Sequence, residues 1–169
     1  LKKNACNSEG ITSKRNNILL VKRENKDLGF VGIPIEINLS IIKQIVEEKK
    51  VPVIAPLGLD KNNQVFNINA DTAAGAIAKK LNARRLIIMS DVEGVLDNNK
   101  KLITEINTVK INELIKNETI SGGMIPKIKN CLDVASNGVK GVCIIDGRLD
   151  HSILFELLSN AGSGTLIRE

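Results

Sequence analysis

Aromatic side chains are almost missing: there is no Trp, no Tyr and only three Phe in 169 residues. Surfaces that bind single-stranded nucleic acid stack bases on aromatic rings set between cations. The chain carries a formal charge of +5, with 24 Lys and Arg against 19 Asp and Glu, but it offers no such platform. Its cations are scattered, and 18 of the 24 are Lys. Together with the many Ile and Asn, that is what A+T-rich codons supply. The charge therefore implies no nucleic-acid partner.

Histidine is equally scarce, with His151 alone. Cys6, Cys131 and Cys143 are odd in number and form no CxxC. A disulfide framework and a Cys/His zinc site are both excluded as readings, and no protein-held metal is expected. A reducing compartment is the simpler setting; we expect the cytoplasm, or an organelle stroma for a plastid-encoded chain. No apolar run approaches the roughly 18 residues of a membrane-spanning helix, so no membrane partner is expected. LKKNACNSEG, at the start, has no secretory pattern. It begins with Leu rather than Met, and we expect a segment upstream. His151 is also the only conventional base for Ser-His-Asp or Cys-His hydrolysis. Chemistry carried by this chain has to work without imidazole.

What is present is a globular composition, 43% hydrophobic and 25% charged, of a size that makes one domain. Asn16–Lys22 reads as a strand, followed by a loop, KRENKDLGFVG. Asn38 or Ser40 caps a helix through Ile41–Lys50. VPVIAP (Val51–Pro56) is a continuous apolar run, which predicts a strand buried on both faces. LGLDKNNQVFN reads as polar and turn-rich. Ala70–Leu81 is a small-residue helix. RLIIMSD (Arg85–Asp91) is another buried strand, and a loop with Gly94 follows. A short helix is expected at Lys110–Lys116. A second starts at Gly122-Gly123 and runs to about Asn137, with Gly138 as its C-terminal glycine. Val139–Asp146 is a buried strand, His151–Leu158 a helix and Gly164–Ile167 a closing strand. This alternation predicts an α/β fold with a mainly parallel sheet and helices on both faces. Ligands of such sheets bind beyond the carboxyl ends of the strands.

Three constellations carry polar chemistry there. NINAD (Asn67–Asp71) sets two amides and a carboxylate at a helix N-terminus, where a carboxylate suits the helix dipole. A plain N-cap is the alternative. SDVEGVL, comprising Ser90, Asp91, Val92, Glu93, Gly94, Val95 and Leu96, follows a buried strand and suits a nucleotide's ribose and phosphates. An ordinary turn at Gly94 is the alternative. SGGMIPK (Ser121–Lys127) starts a helix with two glycines whose N–H groups form an anion site, and Lys127 lies one turn in. A flexible turn with a solvated Lys is the alternative. One chemistry unites the three. A carboxylate nucleophile is already ionised at pH 7, so moving a phosphoryl group onto it needs positioning and cations rather than a base.

These segments also resemble a known family. NINADTAAGAIA (Asn67–Ala78), LIIMSDVEGVL (Leu86–Leu96), ISGGMIPKIKNCLDVASNGV (Ile120–Val139), IIDGR (Ile144–Arg148) and GSGTLI (Gly162–Ile167) are similar to segments of the N-acetylglutamate kinases, a branch of the amino acid kinases. DLGFVG (Asp27–Gly32) and VPVIAPLG (Val51–Gly58) match as well, so the likeness covers about residues 27–169. NINAD followed by GGMIPK is the specific pair. Aspartate, glutamate and uridylate kinases share the fold but carry other versions of these segments.

The resemblance implies a three-layer α/β/α sandwich with a mainly parallel central sheet, its N-terminal part missing. Residues 1–169 would be one partial domain, mainly the nucleotide-binding half. It implies ATP-dependent phosphorylation of the side-chain carboxylate of N-acetyl-L-glutamate, the second step of arginine biosynthesis, with Mg²⁺ carried by the nucleotide. Lys127 would stabilise the transition state and Asp71 would organise the catalytic lysines. Asn67, with Asn69 beside it, would bind the acetylated amino acid. Residues 90–96 and the stretch Thr119, Ile120, Ser121, Gly122 and Gly123 would line the nucleotide site. In arginine-inhibited members a late-helix Glu and a following Gly contact arginine, and Glu156 and Gly162 match that spacing. An exposed helix Glu and a C-cap Gly are the alternative. The complete enzyme would be a homo-oligomer, a homodimer or a hexamer.

There are also departures. The family's first catalytic lysine, its acetylglutamate-binding arginine and its first glycine-rich loops have no counterpart here. GITSKRNN (Gly10–Asn17) stands where the family reads GxSGKDGN: Lys14 is kept, but glycines and the Asp are replaced. Two further readings stay open: a non-catalytic or split nucleotide-binding subunit, and a kinase of a related acetylated amino acid such as N-acetylaminoadipate. A sheet edge left exposed by the absent part predicts self-association.

Overall fold

The computed structural model describes residues 1–169 apart from Lys2, Asn4 and Ala161. The chain forms two compact units, Leu1–Leu81 and Asn82–Glu169.

The first unit contains β1 (Ser8–Ile11), α1 (Ser13–Asn16), β2 (Leu19–Arg23), β3 (Gly32–Ile37), α2 (Ser40–Glu47), β4 (Val51–Ile54), β5 (Leu57–Leu59), β6 (Val65–Asn67) and α3 (Ala70–Leu81). β1 and β4 pair in parallel. The other strands form a sheet in the order β3-β2-β5-β6, with only β2 and β5 parallel. Its core gathers Ile11, Ile18, Leu19, Val21, Ile42, Ile45, Phe66 and Ile68. Ile42 and Ile45 lie three apart on α2, which puts both on its inner face. Asn38 initiates that helix: its Oδ1 accepts from the Ser40 N–H at 3.0 Å and the Ser40 hydroxyl at 2.6 Å.

The second unit contains β7 (Leu86–Ser90), β8 (Glu105–Asn107), α4 (Thr108–Lys116), α5 (Met124–Ser136), β9 (Val142–Asp146), α6 (Ser152–Leu158) and β10 (Gly164–Arg168). The sheet order is β7-β9-β10-β8, with β9 and β10 antiparallel and the outer pairs parallel. β9 is buried along its whole length, with Val142, Cys143, Ile144 and Ile145 at 0% exposure. It lies inside the sheet, and α5 and α6 pack against it. Truncating one such Ile to Ala costs about 2–5 kcal/mol. Across both units, four of the seven strand pairings among the described residues are parallel.

Several expectations change. VPVIAP is not buried on both faces: Val51 and Val53 are 45% and 48% exposed. β4 has a neighbour on one side only, so its apolar run does not mark a central strand. β7 is likewise an edge strand, and Met89 is 48% exposed. LGLDKNNQVFN, read as polar and turn-rich, forms the β5–β6 hairpin, whose turn is held by Asp60 Oδ1 accepting from the Asn62 and Gln64 N–H groups. The loop expected over residues 22–32 ends early, because β3 begins at Gly32.

Candidate active site

Asn67, Asn69 and Asp71 belong to the first unit. β6 runs into α3 through Ile68, which is 1% exposed. The Asn67 N–H donates to Phe30 O at 2.8 Å and the Ile68 N–H to Pro56 O at 2.9 Å. With Ile68 turned into the core, the flanking Asn67 and Asn69 are exposed. Asn69 is also the N-cap: its Oδ1 accepts from the Thr72 N–H at 3.1 Å. Asp71 lies in the first turn of α3, half-buried, where the helix dipole favours its charge.

All the other predicted residues belong to the second unit. At the carboxyl edge of its sheet, Ser90 ends β7 beside Asp146 at the end of β9. The Ser90 hydroxyl donates to Asp91 Oδ1 at 3.3 Å. Asp91 and Glu93 are exposed and Val95 is buried. The loop is moored by Thr165 on β10, which is fully buried. Its hydroxyl accepts from the Val95 N–H at 2.8 Å and donates to Ile103 O at 2.7 Å. Leu96 then bridges Leu102, and Asp97 Oδ1 accepts from the Asn99 and Lys101 N–H groups to close the turn.

That turn reaches the third constellation. The Thr119 hydroxyl lies within hydrogen-bond distance of Asn98 Oδ1 and of Asn117 Oδ1, the latter at 2.7 Å. The Ile120 N–H donates to Leu114 O at 3.0 Å, burying Ile120. The chain then emerges at Ser121, Gly122 and Gly123, all exposed, before α5. Gly122 has φ +55°, which suits glycine. Gly123 has an ordinary φ of −66°. A side-chain carbon on either would meet nothing within 4 Å. The α5 N-terminus has no side-chain cap; its Met124 and Ile125 N–H groups donate to Ser121 O at 3.3 Å and Gly122 O at 3.2 Å, and Pro126 has no N–H to offer. Lys127, half-buried, follows one turn later. The structure thus brings Asn98, just past the 90–96 loop, to Thr119, and the turn at Asp146–Arg148 to Ser90.

Glu156 and Gly162 form a separate site in the same unit. Glu156 is not an exposed helix Glu: it is 8% exposed. Gly162 is not the helix cap, because Ser159 is. One Glu156 oxygen accepts from the Cys143 thiol at 3.0 Å and lies 3.5 Å from Arg85; the other accepts from the Ser163 N–H at 3.0 Å. Burial, and then the bond to Glu156 and its charge, pushes the Cys143 thiol up to about 12. Glu156 and Gly162 line a cavity of about 520 Å³ with Arg85, Glu105, Gly164 and Arg168.

The profile of the amino acid kinase family matches residues 1–146. The chain belongs to the amino acid kinase family. It is 71% identical over 164 residues to the acetylglutamate kinase of Pelagibacter ubique (strain HTCC1062), covering 97% of this chain and 57% of that protein. It is 50% identical over 143 residues to the acetylglutamate kinase of Bradyrhizobium sp. (strain ORS 278), covering 85% and 48%. The crystal structure of smu.665 from Streptococcus mutans UA159 superposes with a TM-score of 0.84 at 32% identity, over 99% of this chain and 63% of that one. The fold is therefore that of the amino acid kinases, and the chain spans about half the length of the curated relatives it matches.

Other residues hold these segments in place that their sequence motifs do not single out. Thr165 moors the 90–96 loop, and its signal was a lone hydroxyl inside the apolar segment GTLI. Arg148 forms a two-point pair with buried Asp146, at 2.9 and 2.7 Å, at the edge where Ser90 ends. Its guanidinium holds the Asp146 carboxyl down at about 2. Arg85 and Cys143 fix the Glu156 carboxylate, which no linear motif announced.

Proposed function

We propose that this chain is part of an ATP-dependent N-acetyl-L-glutamate kinase, one partial domain that carries mainly the nucleotide-binding half. The 71% identity to an acetylglutamate kinase over 97% of the chain carries the reading. In this reading the side-chain carboxylate of N-acetyl-L-glutamate attacks the γ-phosphorus of ATP. The bond to the β,γ-bridging oxygen breaks, and N-acetylglutamyl 5-phosphate and ADP leave, in the second step of arginine biosynthesis. Mg²⁺ neutralises charge on the phosphates and arrives with them.

The residues fit an ATP phosphate chain. Gly122 and Gly123 leave room for close approach where a side chain would stand. Residues 90–96 and 119–123 line the nucleotide site in this reading. Lys127 stabilises the charge that develops between carboxylate and phosphoryl group, and Asp71 orients the lysines. Asn67 and Asn69 contact the acetylated amino acid; with Asn69 Oδ1 committed to Thr72, its amide nitrogen is the group it can offer. Glu156 and Gly162 line the cavity suited to arginine, whose guanidinium would meet the buried carboxylate. The complete enzyme would be a homo-oligomer.

A second reading is a subunit that binds nucleotide and needs a separate partner for turnover. One assay separates the two. Mg–ATP and N-acetylglutamate are supplied to the chain alone, then with the N-terminal portion of the Pelagibacter ubique relative. Acyl phosphate is trapped as hydroxamate. Product from the chain alone supports a kinase, and product only after addition supports the split subunit. ATP binding with no product in either mixture, or product from N-acetylaminoadipate alone, rejects the acetylglutamate assignment.

A further inference from the structure

Two of the three Phe residues meet in the first unit. The Phe30 and Phe66 rings pack edge to face with their centroids 5.7 Å apart. The Arg23 guanidinium carbon lies 5.3 Å from the Phe30 centroid and 5.6 Å from the Phe66 centroid, so one cation stands against both rings. Phe66 is buried, whereas Phe30 is 55% exposed. Arg23 pairs with Gly32 across the β2–β3 hairpin. A side-chain carbon on Gly32 would lie 3.0 Å from Phe66 Cβ, so a residue without one lets β3 lie this close to the ring.

The cluster is joined to Asn67 through the main chain. The Asn67 N–H donates to Phe30 O at 2.8 Å, and Val31 bridges Asn67 in parallel. The Glu24 N–H, donating to Val31 O at 2.9 Å, closes the loop that carries Phe30 there. Asn67 is thus held on one side by β5, where it pairs with Leu57, and on the other by Phe30 and Val31. DLGFVG, to which the proposed function gives no part, supplies this second side. Side chains alternate between faces along extended backbone. Val31 and Asn67 therefore share one face, and Phe30 and Phe66 share the other, where their rings touch. The rings stand behind the exposed Asn67 amide rather than beside it.

We propose that Phe30, clamped by Arg23 and Phe66, is a positioning residue for the acetylated amino acid. It fixes the Asn67 backbone from the face opposite the ligand and touches no ligand itself. The inference rests on Asn67 contacting N-acetylglutamate.

NMR titration of the isotope-labelled chain with N-acetylglutamate tests it, with Mg–ATP as the control ligand. Phe30→Ala should weaken N-acetylglutamate by about tenfold, the scale of one aromatic pair and one cation–π contact together. Mg–ATP affinity should stay within about twofold, since its proposed site is distant in the fold. Hydrogen exchange of the Asn67 N–H should quicken by about tenfold. That of the neighbouring Ile68 N–H, which donates to Pro56 O, should not change. Arg23→Gln alters an exposed side chain and should weaken N-acetylglutamate by about threefold. Beside Phe30→Ala it should add almost nothing, because coupled residues are non-additive. Phe30→Tyr keeps the ring and should keep the parent's affinity. Asn67→Ala checks the reading beneath. If it weakens N-acetylglutamate and Phe30→Ala does not, the proposal falls while the Asn67 reading stands. Equal losses for both ligands, or equally faster exchange at Asn67 and Ile68, also overturn the proposal, since they mark general loosening. If Asn67→Ala binds as the parent does, or the folded parent binds no N-acetylglutamate, the Asn67 reading fails and the proposal with it.

Discussion

Thr165 stands against Gly94 so closely that a side-chain carbon on the glycine would lie 2.5 Å from the Thr165 hydroxyl. That hydroxyl takes the next N–H in the loop, from Val95, and passes its own proton to Ile103 O. Gly94 in one segment and the Thr165 hydroxyl in a distant one thus form one joint, and the joint fixes the far end of the 90–96 loop.

Thr165→Val keeps the shape of the side chain and removes both hydrogen bonds. A buried N–H and C=O then lose their partner, which costs about 1–3 kcal/mol. The measurement is the urea midpoint, with Mg–ATP affinity alongside. Thr165→Ser should recover most of both. A Val variant as stable as the parent would mean that the joint is not needed.

The Asp146 carboxyl yields its proton more readily folded than unfolded, because the Arg148 guanidinium and N–H both bond to its charged form. Its contribution to stability is complete above the unfolded carboxyl value of about 4. It is lost as pH falls through the folded value of about 2. Urea midpoints of the parent should drop across that acid window, and Asp146→Asn should show a smaller drop there. The same variant should be less stable than the parent at pH 7. Parallel curves would refute this source of the acid response.

How far these joints could be read from sequence depends on their range. Ala70–Leu81 was legible because twelve residues repeat one period and Asn69 caps them. The 142–146 strand was legible because its first four residues are apolar. β5, β6 and β8 have three residues each, too few to show an alternation. β3 carries Pro34, which argues against a central strand; it sits at the sheet edge, where Pro is tolerated. VPVIAP misled because a run of apolar residues says nothing about how many neighbours a strand has. At the site, NINAD, SDVEGVL and SGGMIPK were visible as local polar clusters. Thr165, Arg148 and the Cys143–Glu156–Arg85 group were not, because each acts across the fold.

The three thiols should divide by environment. Cys6 is half-exposed, whereas Cys131 and Cys143 are fully buried. Burial and the bond to Glu156 keep the Cys143 thiol protonated up to about 12, so it forms no nucleophilic thiolate at pH 8. A disulfide-exchange reagent at that pH should titrate one thiol per native chain and three in denaturant. Cys143→Ser keeps a donor for Glu156. Cys143→Val removes it and should lower stability by about 1 kcal/mol more than the Ser variant. Rapid native reaction of more than one thiol would contradict this burial.

Lys127→Ala, in whatever assembly turns over, should cut turnover by about two to three orders of magnitude, the scale for losing one charge-stabilising donor. Mg–ATP affinity should change far less. Lys127→Arg should retain more turnover than Ala. Near-normal turnover in Lys127→Ala would remove the role assigned to it.

Gly122 and Gly123 allow the nucleotide reading to be separated from backbone need. Gly122 is at φ +55°, where any side chain is strained by about 1–2 kcal/mol. Gly123 is different: its φ is ordinary and the space around it is empty, so nothing in the folded chain requires a glycine. Gly123→Ala should therefore leave stability unchanged or raise it by about 0.4–1 kcal/mol, since it stiffens the unfolded chain. A methyl group there would stand in the open space that a phosphate has to enter at this turn. Mg–ATP affinity should consequently fall while the urea midpoint holds or rises. Gly122→Ala should lower both. If Gly123→Ala binds Mg–ATP as well as the parent, the open space at this helix start is not a phosphate site.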